Sequence, residues 1–233
     1  MNAIATVAHK LPDWSRLTIS RIEEYAKRIN VELCVLTPKN YTGFLCRGPL
    51  FKEVLLQYER VCFIDADCVV SRLAPDIFAH DPGFVWMAPD APYGDDACSA
   101  RFNDMMIMQA VCGSINWFQG YGNFGVALVD SKHADAFDGW LPIPSVHNDQ
   151  ANFNYLIRKL GYRCAFLDRR WNRMGISVGR PNCIEAVETI AKDAFIAHAA
   201  GFDKYVPPNR SVDPDFPRKN REQAIRLFDE LLP

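Results

Sequence analysis

Apolar positions change their spacing in a regular order along the first part of the chain. Short apolar runs predict strands at residues 4–8, 31–37 and 61–70, and helical spacing predicts helices at residues 15–30 and 50–58. Asp13 precedes the first helix and is a residue type that favours the N-cap position. Strands that alternate with helices are typical of a parallel sheet covered by helices. The pattern therefore predicts an α/β fold.

The rest of the chain continues with strands and helices at less regular intervals. Strands are predicted at residues 83–88, 125–129, 164–167 and 195–197, and helices at residues 149–160 and 222–232. Residues 91–120 form a mixed segment, in which residues 105–117 are predicted as a helix or a covering flap. No internal repeat or linker interrupts the pattern, so we predict one domain over residues 1–233.

The composition favours a folded core and argues against nucleic-acid binding. Of the 233 residues, 49% are hydrophobic and 12% are aromatic, which suits one large domain and excludes a disordered chain. The formal net charge is -2, and basic residues are interspersed with acidic ones, so no broad positive surface is predicted. We therefore expect no nucleic-acid partner.

The cysteines and the N-terminus indicate a soluble protein of the cytoplasm. Eight cysteines are scattered without a C-x-x-C pair, which predicts reduced core thiols rather than disulfides or a zinc site. The apolar stretch at the N-terminus is too short for a signal peptide. No segment approaches the roughly 18 uninterrupted apolar residues that a membrane span requires. We therefore expect a cytoplasmic location.

Two carboxylates interrupt the apolar run at residues 61–70. Asp65 and Asp67 are two positions apart, so on a strand their side chains point to the same face. Burying two unpaired like charges costs on the order of several kcal/mol, and a divalent cation held by oxygen ligands is the simplest partner for them. Open α/β sheets bind ligands beyond the carboxyl ends of their strands, where both aspartates are predicted to lie. The pair therefore predicts a metal site.

Further motifs follow in an order that resembles a known family. They are Phe51-Lys52, Ile64-Asp65-Ala66-Asp67, Ala88-Pro89-Asp90, Gly122-Asn123-Phe124-Gly125-Val126, Asp149-Gln150 and His198-Ala199-Ala200-Gly201-Phe202-Asp203-Lys204. The set resembles the retaining family 8 glycosyltransferases, which include glycogenin and bacterial lipopolysaccharide galactosyl- and glucosyltransferases. The resemblance covers residues 50–205.

The resemblance implies a single GT-A domain, a Rossmann-like nucleotide-diphospho-sugar transferase fold. Its sheet would be mixed but mostly parallel and flanked by helices. Residues 1–70 would form the nucleotide-binding half, which ends in the Asp-x-Asp motif. Residues 71–233 would form the half that binds the donor sugar and the acceptor and that ends in a helix.

The resemblance also implies a role for each matching residue. The metal ligands would be Asp65, Asp67 and His198, which hold Mn²⁺ or Mg²⁺ against the nucleotide diphosphate. The donor-binding residues would be Lys52, Asp65, Asn123, Gly201 and Lys204, and the catalytic residues around the donor sugar would be Asp90, Asp149 and Gln150. The chemistry agrees with these roles, because a divalent cation and an ammonium stabilise a departing diphosphate, and a glycine lets backbone N–H groups approach phosphate.

The implied reaction transfers a sugar from a nucleoside diphosphate donor to a hydroxyl group. A UDP-hexose is the usual donor of the family. The acceptor would be a carbohydrate or another glycoconjugate, with its hydroxyl group on a glycan, lipid or protein. The family retains the anomeric configuration. Gln150 matches the residue that faces the anomeric carbon, and an amide is a poor nucleophile, so the resemblance favours a same-face route assisted by the leaving phosphate.

Three other functions stay open at this point. An inverting GT-A enzyme would use Asp149 or Asp90 as its general base. A nucleotidyltransferase would also pair acidic residues on a similar sheet, although residues 8–12 are not the Gly-rich loop that it normally carries. A non-catalytic module would bind a sugar nucleotide or a glycan without turnover.

Structural roles are the alternatives for several site residues. His198 would suit a core histidine, Asp149 a helix N-cap, Asn123 a turn and Lys52 a solvated charge. The basic run at residues 218–221 would suit a solvated face or contact with an anionic membrane surface.

Two spacings depart from the family. Lys52 is a few residues closer to Asp65 than the family pattern has it. About 30 residues separate Asp90 from Asn123, where glycogenin has a brief link, so we expect a rebuilt acceptor side.

Overall fold

The computed structural model describes residues 1–9, 12–39, 43–90, 95–117, 120–145, 147–175, 184–202 and 216–233. The strands are β1 (Asn2–Val7), β2 (Glu32–Leu36), β3 (Arg60–Ile64), β4 (Cys68–Val70), β5 (Val85–Pro89), β6 (Gly122–Asp130), β7 (Cys164–Phe166) and β8 (Ile196–His198). The helices are α1 (Ser15–Arg28), α2 (Arg47–Leu55), α3 (Asp95–Cys112), α4 (Asn148–Lys159), α5 (Val187–Ala191) and α6 (Phe216–Leu231).

Six strands form a mixed sheet in the order β2-β1-β3-β6-β5-β7. The pairs β1–β2, β1–β3 and β5–β7 are parallel, whereas β6 is antiparallel to both of its neighbours. Only β6 therefore runs against the common direction of this sheet. The predicted α/β class with a mostly parallel sheet is confirmed.

The apolar run at residues 61–70 is two strands rather than the single strand predicted. β3 ends at Ile64, residues 65–67 turn, and β4 leaves the large sheet to pair antiparallel with β8 in a second, two-stranded sheet. Cys68 lies opposite His198 in that pair. The prediction was wrong because Asp65 and Asp67 were taken as positions within one strand, whereas they belong to the turn between two short apolar strands, a place that favours Asp.

The helices α1 and α2 begin differently from the prediction. The helix predicted at residues 50–58 begins instead at Arg47 and includes Pro49, which the first helical turn tolerates because its N–H groups have no intrahelical partner. Asp13 is not the N-cap of α1, since that position is Trp14 without a side-chain capping bond.

The helix predicted at residues 105–117 occupies Asp95–Cys112. Gly113 follows it with a positive φ of 96°, a conformation that ends helices and favours glycine. The C-terminal helix likewise begins earlier than residue 222, at Phe216.

Strand alternation divides the core between the two faces of the large sheet. On β3, Phe63 points to a cluster with α2 and α4, whereas Ile64 points to a cluster with α1. The first cluster contains the fully or almost fully buried rings Phe51, Phe63, Phe124, Phe137 and Phe153. A third cluster packs α5 and α6 against the small sheet. Both sheets are therefore held from their apolar faces, and their strand ends are available for polar groups.

Two further predictions, about membrane spans and about cysteines, can be compared with the structure. Within the described ranges, no helix combines the length and apolar character that a membrane crossing requires. Among the described residues, Cys34, Cys62, Cys68, Cys112 and Cys164 are free thiols.

We expect Phe63→Ala to lower the free energy of unfolding by about 3–5 kcal/mol, because it leaves a cavity in the aromatic cluster. Phe63 is 1% exposed, and its ring stacks on Phe51 with centroids 4.0 Å apart. The control is Leu73→Ala, at a side chain that is 70% exposed, with an expected change below about 0.5 kcal/mol. Urea unfolding measures both, and equal midpoints for the two variants would contradict this account of the core.

Candidate active site

The turn between β3 and β4 holds the two aspartates against His198. Nε2 of His198 lies 3.1 Å from Oδ1 of Asp67 and 3.8 Å from Oδ2 of Asp65. Two contacts fix the turn: the backbone N–H of Asp65 donates to the carbonyl of Gly125 at 2.8 Å, and Oγ1 of Thr18 donates to the carbonyl of Ala66 at 2.6 Å. The structure thus brings the three predicted metal ligands together.

A hydrogen-bonded chain of amides orients His198. Nδ1 of His198 donates to Oδ1 of Asn172 at 2.8 Å, and Nδ2 of Asn172 donates to Oδ1 of Asn123 at 2.7 Å. A carbonyl oxygen only accepts, so the proton of this bond belongs to Nδ1 and the Nε2 atom faces the aspartates. His198 is buried, and its two ring nitrogens face the side chains of Asn172 and Asp67.

These donor atoms fit a hard divalent cation. Carboxylate oxygens and one neutral imidazole nitrogen suit Mn²⁺, and the second ring nitrogen of the imidazole is held as in many metal sites. The thiol of Cys68 also lies near Asp67 and His198, with their ligand atoms within 4.8 Å of one another. Burial raises the pKa of Cys68 well above its usual value, and a hard cation such as Mn²⁺ prefers oxygen ligands to a soft sulfur.

Burial and neighbouring charges set the charge states of this cluster. Burial raises the pKa of Asp65, and Arg47 only partly opposes that shift. Burial acts in the same direction on Asp67, but the charge and hydrogen bond of His198 outweigh it and lower the pKa of Asp67. The carboxylate of Asp67 in turn raises the pKa of His198 against the effect of burial.

Arg47, at the start of α2, links the aspartate turn to α4. Its guanidinium lies 2.9 Å from Oδ1 of Asp65 and 2.8 Å from Oδ2 of Asp149. Burial lowers the pKa of Arg47, but the two carboxylates outweigh burial and raise it, so this arginine is charged. Sequence reasoning missed Arg47 because the predicted helix began after it.

Lys52 belongs to the same helix but contacts a different carboxylate. Five residues of an α-helix turn through about 500°, which places Lys52 about 140° away from Arg47 around the helix axis. Nζ of Lys52 lies 2.5 Å from Oδ2 of Asp138, in a partly exposed pair. The structure does not join Lys52 to the aspartate cluster, and its role in donor binding stays a prediction.

A second polar cluster brings together the residues predicted around the donor sugar. Oδ1 of Asp90 accepts from Asn123 at 3.2 Å, and Oδ2 accepts from Nε2 of Gln150 at 2.9 Å. Arg101 of α3 also donates to Oδ2 of Asp90, and it lies 2.5 Å from Nδ1 of His147. Because α3 showed no pattern that points to a site, sequence reasoning missed Arg101.

The same side chains satisfy an irregular part of β6. The register between β5 and β6 shifts between Met87 and Ala88. Next to this shift, the N–H of Phe124 donates to Oε1 of Gln150 at 3.0 Å, and the N–H of Gly125 donates to Oδ1 of Asn123 at 2.8 Å. Site side chains therefore replace the sheet hydrogen bonds that the irregularity leaves out.

Two structural alternatives are wrong. Asp149 is not the N-cap of α4, because that position is His147, and the Asp149 carboxylate pairs with Arg47 instead. Asn123 is a residue of strand β6 and does not have a positive φ, so it is not a turn residue.

The predicted diphosphate residues are only partly described. Gly201 follows β8 with a φ of 80°, which favours glycine at this turn. Lys204 lies outside the described residues.

Solved structures that are similar to this chain include glycosyltransferases. A glycosyltransferase involved in the glycosylation of the major capsid of PBCV-1 aligns at a TM-score of 0.59 and 15% identity, over 96% of this chain and 99% of its own. The galactosyltransferase LgtC, solved with donor and acceptor sugar analogues, aligns at a TM-score of 0.52 and 11% identity, over 99% of this chain and 96% of its own. GlyE from Streptococcus pneumoniae TIGR4 aligns at a TM-score of 0.52 and 13% identity, over 98% of this chain and 62% of its own.

No protein-family model matches the sequence, and no curated protein matches it either. At these identities the structural likeness shows the fold, which is the GT-A glycosyltransferase fold. The predicted fold is confirmed in that form.

We expect Gly125→Ala to displace the His198 imidazole, because a Cβ at that position would lie 2.6 Å from Nδ1 of His198. The displacement would break the bond from Nδ1 to Asn172 and change the ¹⁵N shifts of the His198 ring. Histidine side-chain NMR measures this, with His198→Gln used to assign the signal and thermal unfolding used to check the fold. An unchanged His198 signal in folded Gly125→Ala would contradict the close packing of Gly125 against His198.

Proposed function

We propose that this chain is a metal-dependent glycosyltransferase that moves a hexose from a UDP-sugar to a hydroxyl group of a glycan, lipid or protein, with retention of anomeric configuration. The observation that carries the proposal is the meeting of Asp65, Asp67 and His198 beside the Asp90–Asn123–Gln150 cluster, within a GT-A fold. Family 8, to which the motifs are similar, supplies the finer expectations.

The aspartate and histidine side chains would hold Mn²⁺ or Mg²⁺. When bound, the cation would supply Lewis-acid stabilisation of the departing diphosphate. Arg47 already carries a positive charge at the same turn, 2.9 Å from Asp65. We assign it to the diphosphate side of the site, together with Gly201 and Lys204 from the resemblance.

The second cluster is suited to hold a sugar in one orientation. Asp90 and Gln150 are buried, and each is fixed by hydrogen bonds to neighbouring groups, so their remaining lone pairs and N–H groups point in set directions. A sugar that lacks the matching hydroxyl would leave such a buried group unpaired, which weakens binding strongly. Donor choice would therefore depend on Asp90, Asn123 and Gln150.

The environment of the carboxylates favours retention over inversion. Asp149 pairs with Arg47, and Asp90 accepts from Arg101, Asn123 and Gln150, so neither is poised as a general base. The acceptor hydroxyl would attack the anomeric carbon on the face from which the diphosphate leaves. Its proton would pass to the leaving phosphate oxygen as the bond between that oxygen and the anomeric carbon breaks.

The two halves of the predicted domain would divide the donor between them. We propose that residues 1–70 bind the nucleotide, with His198, Gly201 and Lys204 joining them at the diphosphate, and that residues 71–233 otherwise supply the donor-sugar and acceptor side. LgtC, which has the same fold, was solved with donor and acceptor sugar analogues, and this supports sugar partners for the present chain.

The proposal is tested with a panel of nucleotide sugars, incubated with Mn²⁺ and without acceptor. We expect slow hydrolysis of one UDP-sugar, and we expect Asp67→Asn and His198→Ala to lower its rate at least about 100-fold, because each removes a ligand of the cation. The control is Asp81→Asn, which changes an exposed aspartate of a loop. Circular dichroism checks that all variants are folded.

The outcomes separate the remaining alternatives. Hydrolysis at the parent rate by folded Asp67→Asn and His198→Ala would contradict the metal assignment. Binding of UDP without turnover of any sugar would favour a non-catalytic module. An acceptor product with the opposite anomeric configuration, seen by NMR, would favour an inverting enzyme.

A matched pair of substitutions on α2 separates Arg47 from Lys52. We expect Arg47→Gln to raise the KM for the donor about tenfold or more, because it removes a buried charge beside the diphosphate side of the site. We expect Lys52→Gln to change the KM less than about twofold, since Lys52 forms a partly exposed pair with Asp138. Steady-state donor hydrolysis measures both, and the reverse order would return the donor role to Lys52.

A further inference from the structure

Arg221, at the end of the basic run at residues 218–221, reaches the candidate active site. Nη1 of Arg221 lies 3.5 Å from Oδ2 of Asp67. Arg221 is in the first half of α6, and its side chain is 26% exposed. The Arg221 side chain therefore contacts the aspartate turn and is partly exposed to solvent.

The packing of α6 fixes where this guanidinium emerges. Ala224, Ile225 and Phe228 are fully buried in the cluster that also contains the small sheet. At the start of the helix, Nδ2 of buried Asn220 donates to the carbonyl of Phe202 at 2.6 Å. Phe202 directly follows Gly201, the predicted diphosphate glycine. Arg221 is thus delivered to the edge at which the diphosphate would bind.

On each of the two aspartates, His198 faces one carboxylate oxygen and an arginine faces the other. His198 lies 3.1 Å from Oδ1 of Asp67, while Arg221 faces Oδ2. His198 lies 3.8 Å from Oδ2 of Asp65, while Arg47 lies 2.9 Å from Oδ1. A cation bound by the two aspartates would have to share both carboxylates with a guanidinium.

This arrangement lacks negative charge once a divalent cation is present. Asp65, Asp67 and Asp149 provide three carboxylates, against two arginines and the two charges of the cation. A diphosphate would reverse that imbalance, and a guanidinium fork binds phosphate oxygens as readily as carboxylate oxygens. Arg221 is long and partly exposed, so it can change partner by rotating its side chain without moving α6.

We propose that Arg221 is a diphosphate-binding residue that pairs with Asp67 until the donor arrives and then binds a phosphate oxygen. The exchange frees Asp67 for the cation, so the cation and the diphosphate strengthen the binding of each other. The coupling is reciprocal, as for any two ligands linked through one equilibrium. This inference rests on the proposed function, since it assumes a cation and a diphosphate at this site.

A purely structural clamp is the competing account of Arg221. A clamp between α6 and the Asp67 turn would affect folding and the binding of metal alone. It would not affect how much the metal improves nucleotide binding. The measurement that separates the two accounts is therefore the coupling between Mn²⁺ and UDP.

The experiment uses calorimetry on the full chain with two probes, Mn²⁺ and UDP. It compares the parent, Arg221→Gln and the control Arg226→Gln, which removes an arginine of the same helix that pairs with Glu222 at 2.8 Å on the exposed side. For each protein, UDP affinity is measured without metal and at saturating Mn²⁺, and Mn²⁺ affinity is measured without UDP. The ratio of the two UDP affinities gives the coupling.

We expect Arg221→Gln to weaken UDP binding at saturating Mn²⁺ about tenfold, with a smaller change when metal is absent. Its affinity for Mn²⁺ alone would rise, because a cation no longer competes for Asp67. Arg221→Lys keeps a charge beside Asp67 and the fold, but lacks the fork, so we expect a loss of at least about threefold. Arg226→Gln would match the parent in every measurement.

Two results overturn the inference. One is a UDP affinity of Arg221→Gln and Arg221→Lys at saturating Mn²⁺ within about twofold of Arg226→Gln. The other is a loss of Mn²⁺ affinity with the coupling intact, which is the behaviour of a clamp. If the parent itself binds UDP no better with Mn²⁺ than without it, the proposed function fails first, and the inference fails with it.

Discussion

The charge of two partly buried aspartates in one short turn determines the arrangement of the side chains around it. Asp65 and Asp67 would repel each other, and burial makes their ionised forms costly unless positive groups are close. The structure supplies these groups from three separate elements: Arg47 from α2, His198 from β8 and Arg221 from α6. Each arrives through apolar packing of its own element. The hydrophobic clusters therefore determine the electrostatics of the turn.

The two-stranded sheet is the least obvious part of this arrangement and the most consequential. β4 leaves the large sheet after the turn, and its pairing with β8 sets Cys68 opposite His198, which places His198 beside Asp67. Without that departure, a strand continuing through residue 70 would carry Asp67 along the large sheet and away from the histidine. The turn at residues 65–67, between two apolar strands, thus brings two distant segments of sequence together.

The sequence predicts those site residues whose type or place in a motif indicates a chemical role. Asp65 and Asp67 stood out because charged groups interrupt an apolar run, and His198, Asp90, Asn123 and Gln150 came from motif order. Arg47, Arg101 and Asn172 could not be found in this way, since each lies on a helix or turn with no local pattern that distinguishes it from a solvated residue. Arg221 lies in the basic run at residues 218–221, whose pattern predicted a solvated face or a membrane contact and not a contact with Asp67. Their roles depend on which helix face meets the sheet. For Arg47, the misplaced start of α2 hid even its position on a helix.

Asn123 and Gln150 show why the sugar side of the site and the sheet cannot be treated separately. Their side-chain oxygens accept the N–H groups of Gly125 and Phe124 at the point where β5 and β6 lose register. A buried N–H without a partner costs about 1–3 kcal/mol, so these two side chains stabilise the strand as well as facing the predicted sugar. Asn123 also reaches His198 through Asn172. This hydrogen-bonded chain couples the geometry of the polar cluster around Asp90 to the geometry of the aspartate turn. An altered Asn123 would therefore disturb both clusters at once, and loss of activity alone could not assign it to either.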